Sequence, residues 1–455
     1  MTRINRYICT LMIFGFGMIY AFLIPPFEAP DEPAHFARAY GIAEGQFILK
    51  DHPRQLVQYL VDEIQKRYPG QEILTSIRQL LNQHQDRIPI PNVAYYSTQY
   101  SPVTYLFHAA VLKILMLCST PMNIQLSLYA SRTVSILLFS CLMFVILKVS
   151  RNMAWPFFWI AVTPMALSQA SIVNPDGIVF CAAAIVLLIS IHDVSCLFYA
   201  IWMVVAAFLL ISTKPPYAPL LLVSLIALFQ NNRIVVPKLV WLLVAVIISS
   251  ISMLCWTYFV KTCGIYEMMM NMILKYNSPA IDPQRQFALL LQSPLNLFHV
   301  VFNTLSSRGG IMLHEFVGVL GWLNTPVPGW IVMIWCFLFL FAVFISDRPD
   351  HISYMVSLGW GITSIVAAIL TFLCVTIAVY LVWMPVEASF VYLQGRYFHP
   401  IAAALCIAVI LIKPFTMKYR PIRLTPVIFL FISTIIHTTT YYILLKKYYY
   451  ATILR

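Results

Sequence analysis

Two adjacent carboxylates, Asp31 and Glu32, lie in the stretch Pro25-Pro26-Phe27-Glu28-Ala29-Pro30-Asp31-Glu32-Pro33-Ala34-His35-Phe36, with Arg38 just beyond. The chain has only 17 acidic residues, and an apolar run able to cross a bilayer ends just before this stretch. An acid held at a water–lipid boundary with a histidine one turn away can hold a pKa suited to taking a proton from a weak nucleophile. The bland alternative is a helix cap: Asp31 precedes a helical run from Ala34 to Ala43, and the helix dipole stabilises carboxylates there. Asp176 lies in Asn174-Pro175-Asp176-Gly177, between two apolar runs. Those four residue types also make an ordinary turn. Lys214, before Pro215-Pro216, either meets an anion or snorkels to the interface. Arg396, in Gln394-Gly395-Arg396-Tyr397-Phe398-His399-Pro400, opens an apolar run behind a glycine that permits close approach. Its planar fork suits phosphate oxygens. Tyr95, Tyr96, Arg308, Tyr397 and His399 complete the set of candidate binding groups.

Stepping outward, the chain is 61% hydrophobic and 10% charged, with a mean hydropathy of +0.82. Soluble domains carry about a quarter charged residues. Repeated long apolar runs without strict alternation exclude a barrel and point to an all-α polytopic membrane protein. The net charge of +12 reads first as topology, since Lys and Arg gather in cytoplasmic loops. No basic tract with interleaved aromatics is present, so nucleic acid is not an expected partner. The 10 cysteines are scattered with no Cys-x-x-Cys pair, which indicates neither a zinc site nor a disulfide framework.

Apolar runs at 7–24, 129–148, 154–173, 177–192, 196–213, 216–230, 236–260, 329–346, 354–383, 398–413 and 425–445 predict about eleven spans. The run 102–118 is ambiguous. Counting it as a span would put Lys413 to Arg423 outside, so the positive-inside bias makes it a juxtamembrane or re-entrant helix. The N-terminus is then cytoplasmic, and the first run is an uncleaved helix rather than a signal peptide. The single membrane domain 1–455 carries two large outer segments, 25–128 and 261–328. The first shows amphipathic helical spacing through Leu56, Leu60 and Ile64. The second has a Met-rich stretch (Met268, Met269, Met270, Met272) suited to packing or to lipid contact, a helical stretch near 285–304, and Arg308-Gly309-Gly310. This parity places the C-terminus outside despite Lys446 and Lys447.

Four blocks in order carry a resemblance. They are Phe27-x-x-Pro30-Asp31-Glu32-x-x-His35 followed by Arg38 and Gly45; Asn174-Pro175-Asp176-Gly177; Gly321-Trp322-Leu323-x-Thr325-x-x-Pro328; and Gln394 to Pro400. Together they resemble the DUF2142 family of predicted bacterial membrane proteins, which is in turn similar to the GT-C fold glycosyltransferases. The chain has Asn324 where that family usually has Asp, so no carboxylate role is carried to that position. The resemblance implies a GT-C-like bundle with juxtamembrane helices in its large first extracytoplasmic loop, in the bacterial plasma membrane with its site facing the periplasm or outside. It implies inverting transfer of a sugar from a polyprenyl-phosphate donor to an envelope glycan acceptor such as O-antigen or teichoic acid. A donor-synthesising glycosyltransferase and a flippase would be its companions. Asp31 matches the catalytic base, with Glu32 second and Asp176 as the supporting acid. Lys214 and Arg396 are candidates for the donor phosphate. Members of the wider fold differ over a divalent metal, and no acidic cluster here demands one. A flippase or transporter for lipid-linked glycan, or a non-catalytic assembly factor, is the alternative.

Overall fold

In hydrocarbon every backbone donor and acceptor must be paired within the chain, so the apolar runs wind into helices. The computed structural model is an all-α polytopic protein with two very short hairpins. It describes all residues except 1–2, 49–50, 67–77, 80, 84–85, 90–94, 119–122, 230–234, 266, 268–280, 350–351, 415–424 and 451–455. The Met-rich stretch and the basic segment after Lys413 fall largely outside the described residues.

Helix α1 (Arg3–Leu23) enters a turn that leads into α2 (Glu32–Ala43). A small hairpin, β1 (Asp51–Pro53) with β2 (Arg87–Pro89), frames α3 (Arg54–Gln65). A short α4 (Tyr95–Thr98) precedes a 3-10 turn and α5 (Leu106–Cys118), the run whose crossing was ambiguous. Then come α6 (Ile124–Val149), α7 (Ala154–Ala161), α8 (Pro164–Ala170), α9 (Asp176–Ile191) and α10 (Cys196–Thr213). A 3-10 segment (Pro215–Phe229) leads to α11 (Val235–Thr262). Helices α12 (Pro283–Gln292) and α13 (Asn296–Gly318) follow, then a hairpin of β3 (Val319–Leu320) and β4 (Thr325–Pro326). The chain closes with α14 (Gly329–Ile345), α15 (Tyr354–Trp383), α16 (His399–Ile412) and α17 (Thr425–Leu445).

Among the described residues seven helices are long and apolar enough to cross a membrane, or up to eight if α12 and α13, bent by 110°, form one span. Three segments differ from simple spans. The run 154–173 is broken between α7 and α8, where Thr163 caps α8 by accepting from Ala166 N and Pro164 enters as its first residue. The segment after Lys214 winds as 3-10 because Pro215, Pro216 and Pro219 withhold donors from an α-helical ladder. At about 2.0 Å per residue its 15 residues reach ~30 Å, the thickness of the hydrocarbon layer. The helical stretch expected near 285–304 is broken at 293–295 into α12 and α13, and α13 runs on through Gly309-Gly310 to Gly318.

Helix α9 is buried on nearly every side and forms the central post of the bundle. Helices α7 and α14 are tied by two reciprocal bonds: Trp159 Nε1 donates to Trp335 O at 2.9 Å, and Trp335 Nε1 to Trp159 O at 3.1 Å. The end of α17 lies beside the end of α1, where Tyr449 Oη donates to Leu23 O. Lys447 there donates to Asn324 and Thr325.

One ion pair fixes the turn after α1. Arg132 of α6 and Glu32 are both 0% exposed and meet side-on, Nε to Oε1 at 2.7 Å and Nη2 to Oε2 at 2.6 Å. Arg132 also donates to the carbonyls of Ala21, Ile24 and Pro25, at the end of α1 and in the turn after it. Glu32 accepts from Phe27 N and Val173 N as well. Every strong acceptor and donor of the pair is thereby filled. Removing one partner of such a buried pair costs on the order of 3–5 kcal/mol, because the other charge is stranded. Arg132→Met and Glu32→Gln should each lower the thermal midpoint of the detergent-solubilised protein sharply, and the double variant should recover part of the loss. Unchanged midpoints in both single variants would remove the clamp.

Candidate functional site

Four helix ends meet in the bundle. Asp31 stands at the N-cap position of α2, Asp176 opens α9, Lys214 follows the last residue of α10, and Arg396 sits in the 3-10 turn Gly395–Phe398 before α16. Arg396 Nη2 pairs with Asp31 Oδ2 at 2.7 Å, and its Nη1 faces Asp176 Oδ2 at 3.5 Å. Lys214 Nζ pairs with Asp176 Oδ1. Two carboxylates and two cations therefore balance in one cluster.

The backbone places Asp31 under strain. Its φ is 66°, and Phe27 stands at 61°. Left-handed backbone is uncommon for Asp and an outlier for a bulky residue. The surrounding structure enforces it: Phe27 N donates to Glu32, and Phe27 O accepts from Trp322 Nε1 at 3.1 Å. Although Asp31 occupies the N-cap position, its side chain makes no capping bond. It turns to Arg396 instead. Its side chain is 35% exposed, against 3% for Arg396 and 11% for Asp176, so it is the acid within reach of a ligand.

Arg396 is held on every edge. Its Nε donates to Gln394 Oε1 at 2.7 Å and its Nη1 to Gln169 Oε1 at 3.0 Å. Gln169 Oε1 also accepts from Asn174 Nδ2, and Asn174 Oδ1 accepts from Asp176 N at 2.7 Å. The Asn-Pro-Asp-Gly turn is thus both a turn and part of the site. Gly395 lies against the backbone of α13; a Cβ there would overlap Phe316 N and Met312 O. Only glycine lets the Arg396 turn seat on α13. The ring of Tyr397 lies 5.1 Å from Lys214 Nζ and 5.5 Å from the Arg396 guanidinium. Tyr217 Oη donates to Tyr397 O at 2.9 Å.

Charge states follow from this packing. Burial works to raise the Asp31 pKa, but Arg396 and then His35 outweigh it, and the carboxyl is held below its usual 3.8. His35, on the same face of α2, shares a 2.6 Å hydrogen bond between its Nδ1 and the Tyr105 hydroxyl. Burial pushes its pKa down to about 4, against the pull of Asp31 and Asp176, so the imidazole is neutral at neutral pH.

An apolar groove of ≈ 430 Å³ runs between α13, α15 and α16, lined by Gly309, Met312, Phe316, Phe372, Phe398 and Leu405 among others. Phe398 lies two residues beyond Arg396. Arg308 stands next to the groove, 4.4 Å from the Tyr392 ring and 3.7 Å from Glu315.

Asp31, Asp176, Lys214, Arg396 and Tyr397 are brought together, with His35 adjoining them. Glu32 is not among them: its oxygens are held by Arg132 and two backbone donors, so the expectation that it could serve as a base is corrected to a structural clamp. His399 packs behind the site, sharing a 3.0 Å hydrogen bond with Phe316 O. Arg308 pairs with Glu315 rather than with the cluster. Arg38 points to a separate position, between Phe47 O and the Trp256 ring. The side chains of Tyr95 and Tyr96 lie outside the described residues. Arg132, Gln169 and Gln394 escaped sequence reasoning. The one available signal was Arg132, a lone charge within an apolar span. Among the described residues no three His, Cys, Asp or Glu side chains form a metal-ligating group.

No curated protein and no solved structure matches the chain. The model of one family does, over residues 14–405, a stretch that contains α2, the four-residue charge cluster and the groove. The chain belongs to that family, described as predicted membrane protein (DUF2142).

Proposed function

We propose that the protein is an inverting glycosyltransferase of GT-C type. It takes a sugar from a polyprenyl-phosphate donor and transfers it to an envelope glycan acceptor, O-antigen, teichoic acid or a similar polymer, on the extracytoplasmic face of the bacterial plasma membrane. In this reading the bundle crosses about eleven times, short and broken segments included. The observation that carries the reading is the joining of a half-exposed acid, a pair of buried cations and an apolar groove that begins two residues from one of them.

The parts fit the chemistry. A polyprenyl chain is apolar and flexible, and the groove between α13, α15 and α16 offers it an apolar wall. Its phosphate then lies at the Arg396 and Lys214 end. A sugar hydroxyl is a weak nucleophile and needs a base within hydrogen-bond reach. Asp31 is the exposed acid of the cluster. It accepts the hydroxyl proton as that oxygen bonds to the anomeric carbon. The bond from that carbon to the phosphate oxygen breaks, and the charge left on the lipid phosphate is stabilised by Arg396 and Lys214. Attack opposite the leaving group inverts the centre in one step. Asp176 keeps Lys214 and Arg396 oriented.

The ligand-free pairing adds a requirement. Arg396 holds Asp31 as well as facing the proposed phosphate position, so phosphate binding must draw Arg396 off Asp31 before Asp31 can act as base. Asp31→Asn keeps the shape and removes the base. Transfer of labelled sugar from a polyprenyl-phosphate donor in vesicles should fall by about 10²–10⁴-fold, the usual worth of a general base. Full transfer by that variant would eliminate Asp31 as the base, and transbilayer movement of lipid-linked sugar without a new glycosidic bond would favour a flippase.

The pH profile separates the two states of Asp31. In the free enzyme its carboxyl is held low, so kcat/KM should stay flat as pH falls toward the ordinary carboxylate range. In the donor complex Arg396 is engaged by phosphate while burial persists, and the Asp31 pKa rises. The acid limb of kcat should therefore lie at higher pH than that of kcat/KM. Coincident limbs would mean that Arg396 never leaves Asp31.

A further inference from the structure

Arg38 lies on the same face of α2 as Asp31 and His35, seven residues and about 10 Å along the helix from Asp31. It is 0% exposed. Its Nη1 donates to Phe47 O at 2.5 Å, and its guanidinium lies 5.3 Å from the Trp256 ring. Trp256 is itself fixed, donating through Nε1 to the carbonyls of Thr98 and Gln99 at 3.2 Å. The remaining edge of Arg38, Nε and Nη2, is buried and has no hydrogen-bond partner among the described residues.

That edge is the one Arg132 uses. Arg132 is equally buried, and its Nε and Nη2 grip the two oxygens of Glu32 side-on. Among the described residues, Arg38 and Arg132 are thus two fully buried arginines with fixed guanidinium groups. One fork holds a carboxylate and the other holds nothing. Stranding a buried charge costs several kcal/mol, and burial alone lowers the Arg38 pKa to about 10, with only Tyr105 opposing it. A methionine or leucine would pack the same volume without that cost. Trp256 beneath the guanidinium keeps the fork rigid and supplies a flat aromatic wall beside it.

We propose that the Arg38 Nε/Nη2 fork is a binding site for an oxyanion carried by the acceptor glycan, a sugar carboxylate or a sugar phosphate, seated two helical turns from Asp31. The oxyanion site stands on the Arg38 geometry; its assignment to the acceptor rests on the glycosyltransferase reading. Binding opens the contacts that now cover the fork and replaces them with two parallel charge-assisted hydrogen bonds. An acceptor recognised in this way is acidic, and its anionic group sets which hydroxyl faces Asp31.

The test uses the full chain in detergent, with glucuronate and glucose 6-phosphate as probes and glucose as the neutral control. Saturable binding of at least one anionic sugar, with no saturable binding of glucose, is expected for the native protein. The carboxylate and phosphate arms identify which oxyanion fits. Arg38→Lys keeps the charge and loses the fork, and should weaken that binding about tenfold or more. Arg38→Met should raise the thermal midpoint without ligand, since it removes a stranded charge, and should abolish anion binding. Undiminished anion binding in Arg38→Lys, no anion binding by the native protein, or a lowered midpoint in Arg38→Met would each overturn the proposal. Sugar transfer separates the two readings. Arg38-dependent anion binding without any transfer leaves the site and removes the enzyme. Transfer to neutral and acidic acceptors at equal rates, unaffected by Arg38→Lys, leaves the enzyme and removes the acceptor site.

Discussion

The ion pair of Glu32 and Arg132 organises everything around it. It joins the end of α1, helix α6 and the start of α2, and it donates to three carbonyls at the end of α1 and in the turn after it. In a medium without water those carbonyls have few other partners. Because Arg132 satisfies them, the chain can break helix at Leu23 and turn inside the protein. Because Glu32 accepts from Phe27 N, the turn can hold two residues in left-handed backbone. Asp31 inherits its direction from that constraint. A residue that would otherwise cap its helix instead projects across the gap to Arg396.

The cluster that results is balanced, and balance shapes what it can bind. Asp31 and Asp176 offset Arg396 and Lys214. A buried unpaired cation would be expensive, so the acids stabilise the empty site. A phosphate entering it must exchange with an acid rather than fill a vacancy. The burial differences indicate which acid yields. Asp176 is enclosed at the mouth of α9 and held by an Asx-type turn at Asn174, while Asp31 stands at the exposed edge on a strained backbone. Under the proposed chemistry the leaving ligand of Arg396 and the base are the same side chain, which couples donor binding to base activation with no moving domain.

Much of this was legible in the sequence, for a physical reason. In a chain with 10% charged residues, a charge at a span end stands out, and Asp31, Asp176, Lys214 and Arg396 were each found that way. Their pairing was not legible, since Arg396 meets Asp31 across 365 residues. Nor could sequence divide the roles of Asp31 and Glu32. Adjacent residues at a helix start point about 100° apart, and only the fold shows which direction faces the site. Arg132 was passed over because it sits inside an apolar span whose overall hydropathy hides one charge. The prolines at 164, 215, 216 and 219 were visible, but hydropathy windows average over geometry and so merged a broken apolar segment and a 3-10 segment with regular helices. The helical stretch expected near 285–304 stops short of Arg308-Gly309-Gly310, yet these glycines lie in open surroundings within α13 and the helix runs through them.

Helix α2 gathers these themes in twelve residues, all of them buried. With its N-cap residue Asp31 it carries three charged side chains, and each is in a different electrostatic state. Glu32 is permanently paired, Asp31 is paired through one exposed contact, and Arg38 is buried with an open fork. A helix buried on every side gains nothing from charges as solubilising groups, and each one costs desolvation. Glu32 recovers that cost by holding the turn. Asp31 offsets the Arg396 charge but strains the backbone, and Arg38 has donors left unpaired among the described residues. Strained backbone and unsatisfied buried polar groups cluster at functional sites. Under the proposed reading the face of α2 shared by Asp31, His35 and Arg38 is the surface on which a ligand completes the structure, and the clamp at Glu32 keeps that face in place while it is empty.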